Sequence, residues 1–142
     1  MLPLRAAQAY SQIGVETGVA SASPHNLVLM LYDGATQAIA EARGHLSAGR
    51  IAEKGRAMTR AIAIVDEGLK GCLDPSGGEI AAQLSQLYDY MCRRLLLASL
   101  RNDAAGLDEV ARLLSELRGA WAKIDPAAPP ERAIPQPQLA PV

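Results

Sequence analysis

The sequence predicts an all-α protein: an antiparallel four-helix bundle over residues 23–125, preceded by an N-terminal arm over 1–22 and followed by a Pro-rich disordered tail over 126–142. Three observations predict it. Apolar residues make up 49 % of the chain, yet Ala and Leu dominate them, with one Trp, four Tyr and no Phe. That balance suits helices better than strands, which favour β-branched and aromatic side chains. Four successive stretches carry apolar residues at steps of three and four, the repeat of one helix face. The connections between them are short, which sets neighbouring helices antiparallel.

In the arm, Ala6–Gln12 can make one or two helical turns, and Gly14 and Gly18 oppose a longer helix. Tyr10, Ile13 and Val15 are too apolar to be left in water, so the arm is expected to pack on the bundle. The first helix is predicted from Pro24 to Ala48. Ser23 suits its cap, Pro24 its first position and Gly49 a left-handed stop. Val28, Tyr32, Ala35, Ile39, Ala42 and Leu46 form one row, and Leu27, Leu31, Gly34 and Ala38 a second beside it. The face is therefore wide, and Gly34 at its middle suggests close approach by another segment.

The second helix is predicted on the stripe Ile51, Gly55, Met58, Ile62, Val65, Leu69 and Cys72, loosened near its end by Gly68 and Gly71. Asp74-Pro75-Ser76-Gly77-Gly78 is a strong loop signal. The third helix runs from Glu79 to Arg101 on the row Leu84, Tyr88, Met91, Leu95 and Ala98, broadened by Ile80, Leu87 and Leu96. Asp89 and Arg93, one turn apart with the acid first, suit a helix ion pair. Asp103 is the expected cap of the fourth helix, which places Leu107, Val110, Leu114, Leu117, Trp121 and Ile124 on one face. Beyond Asp125 lie six of the nine prolines, which rules out helix there and predicts an extended segment.

At 142 residues the chain is one domain's worth, enough to bury a core. A net charge of −1 with both signs interspersed offers nothing to nucleic acid or to an acidic membrane surface. No apolar run approaches the about 20 residues that cross a bilayer, and no signal peptide is expected. Cys72 and Cys92 stand alone, without ligand spacing, and are expected to be small buried hydrophobes in a reducing compartment. No catalytic, cofactor or metal site is expected. A di-iron site in a bundle needs Glu three residues before His, and Ala22 and Ala42 stand there before His25 and His45. Both histidines are expected to face solvent. There is no P-loop after Gly77-Gly78, and Asp33, Asp89 and Asp103 are read as caps and ion-pair partners of Arg93 or Arg94.

The segments AYSQIGVET, SASPHNLVLMLYDGA, RAIAIV, GCLDPSGGEIAAQLSQLYDYMCRRLLLASLRND and DEVARLLSELRGAW, in that order, resemble the flagellar secretion chaperone family FliS. The likeness runs from Tyr10 to Trp121 and is most specific in LYDG and LYDY with the RRL and ND that follow. Arg50 departs from it, standing where relatives often carry Asp or Asn at a helix start. The resemblance says nothing of the Pro-rich tail.

The resemblance implies a non-catalytic bundle that holds the C-terminal, helix-forming segment of flagellin in hydrophobic grooves in the cytoplasm, preventing premature polymerisation; a one-to-one complex is expected. It implies helix-in-groove recognition of a segment disordered on its own. Leu31, Tyr32, Ala35 and Ile39 of the first helix and Tyr88 of the third are then the candidate partner-binding residues. Tyr10 and Ile13 join them as an arm lying over the groove. Contacts with the flagellar export gate and a weak homodimer are left open. The rival expectation is a helical bundle serving as a regulatory or structural interaction module, or as a homodimer.

Overall fold

The computed structural model describes residues 23–124, and the arm and the Pro-rich tail lie outside the described residues. Four helices and no strand are found among those described. Helix α1 spans Pro24–Ser47. The Ser23 hydroxyl accepts a hydrogen bond from the Asn26 backbone N–H at 3.1 Å, so the predicted cap forms. Gly49 adopts φ +75°, a left-handed stop that a residue with a Cβ would resist.

The second helix departs from a plain α-helix. Helix α2 spans Ile51–Ala63 and continues into a π-helical turn, Ile64–Leu69, and a 3-10 turn, Lys70–Cys72. Its buried face is also rotated from the predicted stripe. Ala57, Met58, Ala61, Ile64, Val65, Gly68 and Leu69 are buried, whereas Ile51 is exposed and Ile62 and Cys72 are half-buried. Packing against α1 explains the rotation. Ala35, Ala38 and Ala42 of α1 are fully enclosed, and small residues on α2 let the two backbones come close. The close approach ends at Gly68, where a Cβ would stand 2.6 Å from Leu31 Cδ2. Gly34, from which such an approach was expected, is half-buried.

Helix α3 spans Gly78–Arg101 and follows a turn in which Asp74 Oδ1 accepts from the Ser76 N–H and hydroxyl at 2.9 and 2.8 Å. Its predicted row, Leu84, Tyr88, Met91, Leu95 and Ala98, is buried without exception. Asn102 ends it in the left-handed region at φ 52°, and the Asp103 N–H donates back to the Ala98 carbonyl at 2.8 Å. Helix α4 spans Ala104–Ala122, capped by Asp103 Oδ1 on the Ala105 N–H at 3.0 Å. Leu107, Val110 and Leu114 are buried, and Leu117 and Trp121 pack partly against the core.

Each helix neighbours the next, and α4 closes the ring against α1. Arg43 pairs with Asp108 at 3.2 Å and Arg118 with Asp33 at 2.8 Å, which fixes α1 and α4 antiparallel. Several expected partners change. Asp89 pairs with Lys70 at 2.8 Å instead of Arg93, because α2 brings that lysine across to α3. Asp103 does pair with Arg94, at 3.5 Å, as expected, and Arg94 also reaches Glu109 of α4 at 2.7 Å. Neither histidine simply faces solvent. His25 stacks on Trp121 with ring centroids 5.3 Å apart, and His45 Nδ1 accepts from Arg50 Nε at 3.1 Å. Cys72 and Cys92 are free and half-buried, and burial pushes each thiol up to about 11.

Candidate functional site

The sequence-derived candidates on the helices meet inside the bundle. Leu31 and Ala35 are fully enclosed, and Ile39, Tyr32 and Tyr88 are at most 3 % exposed. Tyr10 and Ile13 lie outside the described residues. The two helical tyrosines reach across the core diagonal, and their hydroxyls share a hydrogen bond of 2.6 Å. A buried hydroxyl without a partner would cost about 1–3 kcal/mol, so each tyrosine makes the other tolerable in an apolar interior.

Burial raises Tyr32 to about 12 and Tyr88 well above the ordinary 10. Both hydroxyls therefore stay protonated in the fold after unfolded chains have begun to ionise. The stability this supplies is complete below about pH 10 and is lost as pH rises through about 12. Alkaline titration followed by phenolate absorbance should show these two groups ionising only as helicity is lost. Ionisation of both near pH 10 with helicity intact would mean that water reaches the pair.

The apolar surface lies elsewhere. Among the described residues Ile51, Tyr90, Leu96, Leu97 and Leu100 are the exposed large hydrophobics, Leu100 at 71 %. Four of the five sit on the C-terminal half of α3. A signal for them was present in the sequence: three consecutive leucines, Leu95–Leu97, cannot share one face when each residue turns by about 100°. Leu95 takes the core, and Leu96 and Leu97 must leave it.

A charged rim borders this surface. Glu109 of α4 accepts from the Tyr90 hydroxyl and from Arg94 Nε at 2.7 Å, and these donors, the tyrosine first, hold its carboxyl below the usual carboxylate range. Among the described residues no group of three or more His, Cys, Asp or Glu could hold a metal ion. No described helix is long and apolar enough to cross a membrane.

The described residues thus form an all-α antiparallel four-helix bundle with a sealed interior and leucines exposed on one helix. The family described as flagellar protein FliS matches residues 6–128. The chain is 54 % identical over 122 residues to the flagellar secretion chaperone FliS of Salmonella typhimurium, covering 85 % of this chain and 90 % of that protein. It is 40 % identical to the flagellar secretion chaperone FliSB of Pseudomonas aeruginosa, covering 85 % and 96 %. With the FliS of Bacillus subtilis it shares 34 % identity over 113 residues, 80 % of each chain. The chain belongs to the FliS family.

Proposed function

We propose that this protein is a cytoplasmic export chaperone that binds the C-terminal helix-forming segment of flagellin and keeps it from polymerising before export. The observation that carries the reading is the exposed leucine surface of α3, on a chain that belongs to the FliS family. An amphipathic segment that is disordered alone can bury its apolar face there, and the bundle needs no catalytic group to act. Leu96, Leu97 and Leu100 would meet the partner directly. Leu31, Tyr32, Ala35, Ile39 and Tyr88 would serve beneath the surface, holding the helices at the spacing a groove requires. Tyr10 and Ile13 would lie over apolar surface in the free chain and leave it on binding.

Calorimetric titration with the flagellin C-terminal segment tests the reading. A one-to-one complex is expected, with a gain of helix in the mixture. Leu97→Asp together with Leu100→Asp should weaken it about 10- to 200-fold, by roughly 1–3 kcal/mol, if these side chains are central to the contact. Equal helicity of the variant and the parent would show that the bundle is intact. No binding by the parent would sink the proposal, and self-association alone would favour a homodimeric bundle.

A further inference from the structure

The outer face of α3 carries a row at steps of four, Arg93, Leu97 and Arg101, all exposed. Leu96 and Leu100 stand exposed beside it, and Tyr90, bonded to Glu109 of α4, stands one turn ahead of Arg93. Each step of four is about 6 Å of helix, so the two arginines lie about 12 Å apart along the axis with a leucine midway.

The carboxylates around this row are already engaged. Asp89 pairs with Lys70, and Glu109 accepts from Tyr90 and Arg94. Asp103 caps α4 and pairs with Arg94. Among the described residues neither Arg93 nor Arg101 enters an ion pair. The described bundle thus gives neither cation a carboxylate, while leucine lies exposed between them.

We infer that α3 selects its partner by charge as well as by apolar contact. The segment it takes is an amphipathic helix with a carboxylate at each end of its apolar face, about seven or eight residues apart, one for Arg93 and one for Arg101. The inference rests on the flagellin reading for the identity of the partner, and adds the chemistry by which the surface chooses a stretch of it. A helix lying along α3 lays apolar side chains on Leu96, Leu97 and Leu100 at its own steps of three and four. Residues two turns apart on it then come level with the two arginines. Arginine suits the task, since its planar fork takes a carboxylate through two parallel N–H donors. Its stem covers apolar surface while the head stays in water.

A second copy of the chain fits poorly, for a reason of symmetry. An antiparallel twofold pairing of α3 centred on Leu97 would set Arg93 of each copy against Arg101 of the other, because each stands four residues from Leu97. A parallel pairing would set each arginine against its own equivalent. Either brings uncompensated cations face to face, which opposes association.

Two synthetic amphipathic helices with the same leucines test the inference, one flanked by Glu and the other by Lys two turns apart, each titrated into the full chain. The Glu-flanked peptide should bind about 2- to 30-fold more tightly, the product of two exposed ion pairs. The preference should fade near about 1 M salt, where the screening length is about 3 Å. Arg93→Glu with Arg101→Glu should reverse the preference, which a loss of structure cannot do, and should weaken binding of the flagellin C-terminal segment. Arg93→Gln with Arg101→Gln should abolish the preference without reversing it, a check that stands if the Glu pair unsettles the end of α3. Equal affinity of the two peptides for the parent would overturn the inference. So would flagellin binding that Leu97→Asp with Leu100→Asp weakens but neither arginine pair alters, which leaves the chaperone reading in place. Self-association of the parent that Leu97→Asp removes would give the row to a second copy and overturn it too. If the peptides show the preference and its reversal but flagellin binds no form of the protein, the chaperone reading fails and charge selection by α3 stands.

Discussion

Leu31→Ala is expected to lower the stability of the bundle by about 3–5 kcal/mol, measured by urea unfolding. Leu31 is fully enclosed, and its Cδ2 fills the space that Gly68 leaves on the facing π-helical turn. Truncation therefore opens a cavity against a backbone that has no side chain with which to close it. The reciprocal change tests the same contact from the other side. Gly68→Ala alone should cost about 1–3 kcal/mol, because its Cβ would fall 2.6 Å from that methyl and force Leu31 from its rotamer. In the Leu31→Ala background the added methyl has room, and the penalty should shrink or change sign, a coupling of at least about 1 kcal/mol. Strict additivity would mean that α1 and the π turn do not meet as described.

Lys54→Ala is expected to be nearly as damaging, at about 2–4 kcal/mol. Lys54 is the one charged side chain among the buried residues described, at 5 % exposure. Its ammonium donates to the Ser99 carbonyl and to Asn102 Oδ1, both at 2.7 Å. Those acceptors stand at the C-terminus of α3, where unpaired carbonyls concentrate partial negative charge and the chain turns left-handed at Asn102. The lysine thus joins the start of α2 to the end of α3 and satisfies acceptors that packing has removed from water. Lys54→Met keeps the stem without the charge, so it should recover only the packing part of the loss. A Met variant as stable as the parent would show that the two hydrogen bonds contribute nothing net.

The α3 row was legible because Leu84, Tyr88, Met91, Leu95 and Ala98 form the apolar face of a single helix, whatever packs on it. The caps at Ser23 and Asp103 were legible for a similar reason, since each side chain bonds to backbone within three residues of itself. Helix α2 was read one step off. Its alanines carry little hydrophobic weight in the sequence, yet Ala57 and Ala61 are the residues that face inward. The candidate surface was the least legible part. Tyr32 and Tyr88 stand in the apolar rows of two separate helices, and the resemblance alone made them partner-binding candidates; their meeting across the diagonal places both inside. Leu97 and Leu100 stand off the α3 core row and were missed.

Local sequence pattern was enough for the number of helices, the caps at Ser23 and Asp103, the stop at Gly49, the core row of α3 and the resemblance to the FliS family. All of these rest on residues close together in the chain or on motifs read in order. Only the tertiary structure decided which flank of α2 faces inward, that Asp89 pairs with Lys70, that Lys54 is buried and that the exposed leucines gather on α3. The physical reason is that periodicity defines a face within one helix, whereas the line of closest approach between helices depends on the side-chain volumes of both. Where Gly68 meets Leu31 and alanines line α1 and α2, that line is set by the smallest residues, which weigh least in any reading of hydrophobic pattern.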